Sequence, residues 1–207
     1  MTQHQDRDTR REQILEAALK LFISKGYENS TVDEIANEAG LSKGSIYWYF
    51  KSKLEILFEL TDRFVAGGQQ LLVKLVEPDG YGTEALYKAH REIYGFTMQS
   101  SQVLLIHQLA TLAGSYPEIR ERLVNYHQGW DKTISELITN AVEAGHFRPV
   151  NAVHVAQAIN ALYDGLCARS RMEPDIDVVR IIETVTRLMY EGLTQHQPEK
   201  VETATSS

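Results

Sequence analysis

One cysteine, Cys167, stands in 207 residues, and a single thiol excludes an internal disulfide framework. Such usage fits a reducing cytoplasm. Cys167 lies in an apolar segment, which reads as a core thiol rather than a nucleophile. No apolar run approaches the roughly 18 residues that a membrane helix needs, and the N-terminus is polar, so neither a span nor a signal peptide is expected. The seven histidines include no His-x-x-x-His pair and no Cys/His cluster, so no metal site is expected. No Gly-rich loop follows a strand pattern, and no cofactor is implied. Period-2 alternation, internal repeats and low-complexity segments are also missing. The chain reads as all-α.

Net positive charge is lacking: the formal net charge is −7, which taken whole argues against a partner of nucleic acid. Residues 1–53 nevertheless hold eight Lys or Arg against eight Asp or Glu, while residues 54–207 hold thirteen against twenty. The acidity belongs to the second part, and local charge decides phosphate contact.

About nine helices are expected. Residues 1–8 read as polar and loose, with Thr9 and Glu12 forming a capping box that opens a helix closed by Gly26. Two short helices follow within residues 31–50. A longer helix starts at Ser52, where Ser52 and Glu55 form another box, and Pro78-Asp79-Gly80-Tyr81-Gly82 breaks it. Inside it, Gly67-Gly68 marks either a hinge or an early end at Ala66. Thr83 starts the next helix, and an apolar one covers about Gln102 to Ala113. Pro117 opens a long helix closed by Gly145. Two amphipathic helices, from Asn151 to about Arg171 and from Asp175 to about Gln195, precede a polar tail. The boundaries expected are 1–53 for an N-terminal domain, 54–196 for a helical second domain and 197–207 for the tail.

The most informative stretch is Thr31 to Lys53. Thr31 and Glu34 make a capping box; Val32, Ile35, Ala36 and Ala39 share a face; Gly40 sits where a helix end needs a left-handed residue. Ser42 then caps a second short helix, Lys43 to Tyr49. Two short helices about a Gly-containing turn form a helix-turn-helix, and the second is sized for the major groove of double-stranded DNA. With Ile46 and Phe50 inward, Gly44, Tyr47 and Trp48 lie on other faces, flanked by Lys43, Lys51 and Lys53. Hydroxyls, lysines and helix N-terminal amides are phosphate-binding groups. Arg7, Arg10 and Arg11 read equally as DNA contacts or as a solvated helix start.

The run Ser42-Lys43-Gly44-Ser45-Ile46-Tyr47-Trp48-Tyr49-Phe50-Lys51-Ser52-Lys53-Leu54-Glu55 resembles the DNA-binding domain of the TetR family of bacterial repressors. The resemblance covers residues 10–60; beyond it, only length and helical layout are similar. It implies an N-terminal three-helix helix-turn-helix domain, a C-terminal helical ligand-binding and dimerisation domain, and a homodimeric cytoplasmic repressor. Lys43, Gly44 and Ser45 would then lie nearest base edges, while Thr31, Tyr47, Tyr49 and Lys53 grip phosphates beside Trp48. A histidine often stands in that pattern where this chain has Tyr49.

The same resemblance implies a pocket for a small-molecule effector. Among the polar-aromatic residues of the middle helices, Tyr94, Met98, His107, Tyr126 and Trp130 are the candidate lining residues, since a cavity needs apolar walls with a few orienting groups. The alternative for each is a packed core position. A regulator with no small-molecule ligand, controlled by a protein partner, is the rival reading. Val155, Ile159, Leu162 and Leu166, with Val178, Ile181, Ile182, Val185, Leu188 and Met189, form the two apolar stripes expected to pair in a dimer matching a pseudo-palindromic operator. Gly40-Leu41-Ser42-Lys43-Gly44 matches the Gly-x-Ser-x-Gly string of hydrolases, but that elbow needs a preceding strand. No enzyme is expected.

Overall fold

The computed structural model describes residues 2–173 and 175–194, leaving aside the side chains of residues 2–6 and 99. The polar tail expected at 197–207 lies outside the described residues. Nine helices follow one another among those described: α1 (Thr2–Lys25), α2 (Val32–Glu38), α3 (Lys43–Tyr49), α4 (Lys53–Val76), α5 (Thr83–Gln99), α6 (Val103–Leu112), α7 (Pro117–Glu143), α8 (Ala152–Ser170) and α9 (Val178–Leu193). The fold is all-α, as the sequence implies.

The start of α1 departs from expectation. The helix begins at Thr2 and runs straight through the Thr9–Glu12 box. Residues 2–8 contain neither glycine nor proline, so nothing forces the chain out of helix before Thr9. At the other end Gly26 adopts φ +86° and donates to the Phe22 carbonyl at 3.1 Å, which closes the helix as read.

The chain packs as two compact units, Met1–Lys74 with Glu92–Trp130, and Leu75–Arg91 with Asp131–Ser207. In the first, Ile14, Ala18 and Phe22 of α1, Ile35 of α2, Ile46 of α3, Phe50 and Ile56–Leu57 form one buried cluster with Leu105, Leu109 and Ile119. Burying each large side chain contributes roughly 1.5–3 kcal/mol. Gln108 of α6 adds a polar clamp: its amide donates to the Phe22 carbonyl at 3.0 Å and accepts from the Tyr27 amide at 2.9 Å.

α4 starts with Ser52 accepting from the Glu55 amide at 3.1 Å. The Glu55 carboxylate reaches the Lys51 amide rather than that of Ser52, so the box is displaced by one residue. The helix does not end at Ala66; it continues through Gly67 and Gly68 to Val76. Gly67 faces open space, whereas a Cβ on Gly68 would stand 3.0 Å from the Trp130 ring.

In the second unit, His90 of α5 and Tyr190 of α9 are both buried, and the Tyr190 ring stacks on Phe147 at 5.7 Å. α7 ends in a Schellman arrangement: Gly145 at φ +77° donates to Val142, and His146 donates to Ala141. The N-cap of α9 is Asp177, not Asp175. The expected dimer stripes are divided. Ile159, Leu166, Val178 and Ile182 are buried within the unit, while Leu188 faces outward, as do the small residues Ala158, Ala161 and Gly165 that lie between the stripe positions of α8. A helix with a wide apolar arc serves its own core first, and only the remainder is left for a partner.

Candidate nucleic-acid interface

The geometry of the N-terminal motif follows from local capping. Thr31 accepts from the Glu34 amide at 3.2 Å, and the Glu34 carboxylate accepts from the Thr31 amide at 2.9 Å. Glu34 is held low, at about 2, by the Lys25 ammonium first and by Thr31 next. Gly40 takes φ +67° and donates to Asn37, while Leu41 donates to Ala36, so α2 closes in a Schellman turn that only a left-handed residue permits cheaply. Ser42 then accepts from the Ser45 amide at 3.2 Å and restarts the chain as α3. Ser42 is thus a cap between two helices, with no strand before it.

Ile46 and Phe50 anchor α3 in the core. That leaves Lys43, Gly44, Tyr47 and Trp48 facing outward, with Tyr47 50% and Trp48 64% exposed. Ser45 and Tyr49 are half-buried. The Ser45 hydroxyl lies 2.8 Å from that of Ser42, and the Tyr49 ring meets Trp48 edge-on at 4.7 Å. Lys43 faces Asp33 at 2.9 Å, which raises its pKa. Both partners are exposed, and such a pair is weak enough to exchange for a phosphate. The Thr31 hydroxyl donates to Glu34 at 3.0 Å, so its proton is already in use.

Lys53 is placed differently from the phosphate grip expected of it. Its ammonium donates to the carbonyls of Tyr27 at 2.7 Å, Ser30 at 2.6 Å and Glu28 at 3.4 Å, and lies 4.2 Å from the Tyr27 ring centroid. Desolvation lowers its pKa. All three protons are committed to the α1–α2 turn. Lys53→Ala should therefore destabilise the protein by about 1.5 kcal/mol, the scale of a charged hydrogen bond, while the salt dependence of DNA binding stays unchanged. Calorimetry and a salt titration measure the two; a slope lowered by about one would restore the phosphate role.

The sequence reads Arg11 as a DNA contact or as part of a solvated helix start, and the tie it makes within the fold is not legible there. Its guanidinium pairs with Glu59, donates to the Tyr49 carbonyl at 3.2 Å and lies 4.4 Å from the Phe50 ring centroid. It ties α1 to the end of α3 and to α4. Arg63 extends the cluster to Glu12 and Glu59, both at 2.7 Å. The available signal was only that Arg11 lies on the helix face next to Ile14 and Leu15.

The candidate pocket residues all belong to the first unit, but their hydroxyls and rings are differently engaged. Tyr126 is buried, with its hydroxyl 2.7 Å from Thr61 and 2.8 Å from Asp62; burial is the first cause pushing its pKa up. Arg122 completes that network on Asp62 at 2.8 Å. Trp130 is half-buried against Gly68. Tyr94 is buried, and Met98 and His107 are half-buried.

Comparison with known proteins agrees with this layout. Residues 14–60 match the family described as bacterial regulatory proteins, tetR family, and residues 95–192 match the C-terminal region of BetI-type transcriptional repressors. The regulator TtgR of Pseudomonas putida is 29% identical over 182 residues, spanning 84% of this chain and 86% of that protein. A putative transcriptional regulator from Saccharomonospora viridis, solved with choline, superposes with TM-score 0.77 at 24% identity, covering 91% of this chain and all of that one. The regulator FadR of Bacillus subtilis, solved with stearoyl-CoA, gives TM-score 0.74 at 22% identity over 88% of this chain and 98% of that one. These two likenesses establish the fold. With both of its parts matched in order, the chain belongs to the TetR family of bacterial transcriptional regulators.

Proposed function

We propose that the protein is a homodimeric repressor released from a pseudo-palindromic operator by a small molecule. The observation that carries the DNA-binding part is α3: a seven-residue helix capped at its start, anchored by Ile46 and Phe50, and exposing Lys43, Gly44, Tyr47 and Trp48. Lys43, Gly44 and Ser45 lie at its N-terminal end, where free amides meet anions and base edges. Tyr47 and Tyr49 supply hydroxyls for phosphates on either side, and Thr31 joins them when its hydroxyl turns from Glu34 to the DNA. The match to a repressor C-terminal region supports repression. Relatives of the same fold hold choline in one case and stearoyl-CoA in another, which supports an effector site here without fixing its chemistry.

The dimer reading rests on the outward small residues Ala158, Ala161 and Gly165 of α8, which admit close helix approach, and on exposed Leu188 of α9. Boundaries at 1–53 and 54–196 would then separate the DNA-reading domain from the effector and dimerisation domain. One observation favours the rival, a regulator controlled by a protein partner: the Tyr126 hydroxyl is already satisfied by Thr61 and Asp62.

The decisive experiment selects duplexes from a random library with the purified protein, then titrates choline and stearoyl-CoA against the complex. Selective binding of an inverted repeat by a dimer, lost on adding either compound, is the expected result. A protein monomeric at micromolar concentration in light scattering, or a complex indifferent to both compounds and to a wider metabolite panel, would remove the dimer and the effector respectively. Tyr47→Phe should weaken binding to selected and unrelated duplexes alike, because a phosphate contact positions without reading bases.

A further inference from the structure

Most cations of the N-terminal helices are spent within the fold. Lys43 faces Asp33, Lys20 faces Glu38 and Lys25 faces Glu34. Arg11 and Arg63 share Glu59, and Lys53 holds three carbonyls. Arg10 donates to Gln13. Among the described residues of this region, Arg7 and Lys51 make no ion pair. Lys51 lies just past α3, as the sequence places it. Arg7 comes from elsewhere in the chain, and its position is specific: its guanidinium carbon stands 4.9 Å from the centroid of the Trp48 ring.

Trp48 is unusual in being a tryptophan left 64% exposed on a helix sized for a groove. Tyr49 meets its indole edge-on, with ring centroids 4.7 Å apart. A guanidinium stacks well on an indole face, and at an exposed site the contact is worth only about 0.5–1 kcal/mol. That is too little to matter for folding but enough to favour one direction for an arginine. Arg7 also lies one helical turn before Arg11, whose guanidinium donates to the carbonyl of Tyr49, the last residue of α3. The C-terminal end of a helix carries partial negative charge and repels phosphate. Two arginines of α1, four residues apart, are thus gathered at that end, one binding the helix carbonyl and the other lacking a carboxylate.

We propose that Arg7, laid across Trp48, is a DNA-phosphate contact, and that Trp48 is the positioning residue which holds it there. On this account Trp48 contributes to affinity through Arg7 and does not read a base. The proposal rests on α3 being the DNA-binding helix, as argued above.

The test uses the full chain, a duplex selected by the protein and an unrelated duplex of equal length, titrated over a series of salt concentrations. Arg7→Ala should weaken binding to both duplexes and make the log–log salt slope shallower by about one. Trp48→Ala should lose the same increment, and the double variant no more than either single one. Arg7→Lys, which keeps the charge, should recover the slope. In a Trp130→Phe background the emission of Trp48 should shift on Arg7→Ala before any DNA is added. A wild-type slope in Arg7→Ala overturns the proposal, as does a loss confined to the selected duplex, which would mark a base contact. Independent, additive losses from Arg7 and Trp48 would remove the positioning role. Failure of the wild-type protein to bind any duplex would sink the DNA-binding reading itself.

Discussion

The second unit should lose about 3 kcal/mol of stability between pH 6.5 and pH 4, and His90 should account for it. His90 is fully buried, and burial pushes its pKa down from 6.5 to about 4. Its Nδ1 lies 3.0 Å from the Leu86 carbonyl and 2.7 Å from the Tyr190 hydroxyl, which also stands 3.2 Å from Nε2. Burial holds the ring neutral, since an imidazolium there would have no water to solvate its charge. A group whose folded pKa is depressed and whose charged form is the acid is stable above its unfolded pKa. As pH falls below 6.5 the unfolded chain takes up a proton that the folded chain refuses until about 4, so the stability difference grows across that window and then levels off. The interval from 6.5 to about 4, at about 1.36 kcal/mol per pH unit, gives the figure stated. Glu34 acts in a lower window, between its ordinary value and about 2, so the two are separable in a denaturant series by pH. Replacing His90 and Tyr190 together by phenylalanine, which removes donor and acceptor at once, should flatten the upper window. A wild-type slope between pH 6.5 and 4 in that variant would show that the acid sensitivity lies elsewhere.

The motif was legible because its signals are local. Thr31 with Glu34, Gly40, Ser42 and Gly145 each act within five residues, and each makes the capping contact that the sequence implied. The Thr9–Glu12 box misled for the same reason: a cap is a start only where the preceding chain leaves the helix, and residues 2–8 do not. Roles that depend on distant partners were not legible. Lys43, Lys51 and Lys53 are equivalent in sequence, yet the first faces a carboxylate, the second makes no ion pair among the described residues and the third clamps a turn 23–26 residues away. The Tyr126 hydroxyl is satisfied from a helix 64–65 residues back, which no spacing rule reveals. The apolar stripes of α8 and α9 are legible in sequence, but the division between core and outward face depends on packing that the sequence does not state.

The adjacent glycines of α4 should respond in opposite directions. A sequence shows only that two mid-helix glycines cost stability, each up to about 1 kcal/mol relative to alanine. In the structure they differ. Gly67 is exposed with open space where a Cβ would stand, so Gly67→Ala should stabilise by up to about 1 kcal/mol by restricting the unfolded chain. Gly68 is buried, and its Cβ would stand 3.0 Å from one carbon of the Trp130 ring, 3.3 Å from a second and 4.0 Å from Ile93. Alanine there requires the indole to shift by a few tenths of an ångström, so its helix gain and its crowding oppose each other. Leucine adds three further carbons in the same direction and has no room. Gly68→Leu should destabilise by about 3 kcal/mol, the upper part of the overpacking range, and Trp130 emission should shift as the ring is displaced. Trp130 is also a candidate effector contact, so a conservative displacement by Gly68→Ala should change effector response more than DNA affinity in the absence of effector. Thermal unfolding of the three variants, with operator titrations for Gly67→Ala and Gly68→Ala, measures each part. Equal stabilisation by both alanines would show that Trp130 yields freely and that close packing does not explain the second glycine. A helix that needs both glycines to bend would instead lose effector release in Gly67→Ala as well, returning the pair to the hinge that the sequence allowed.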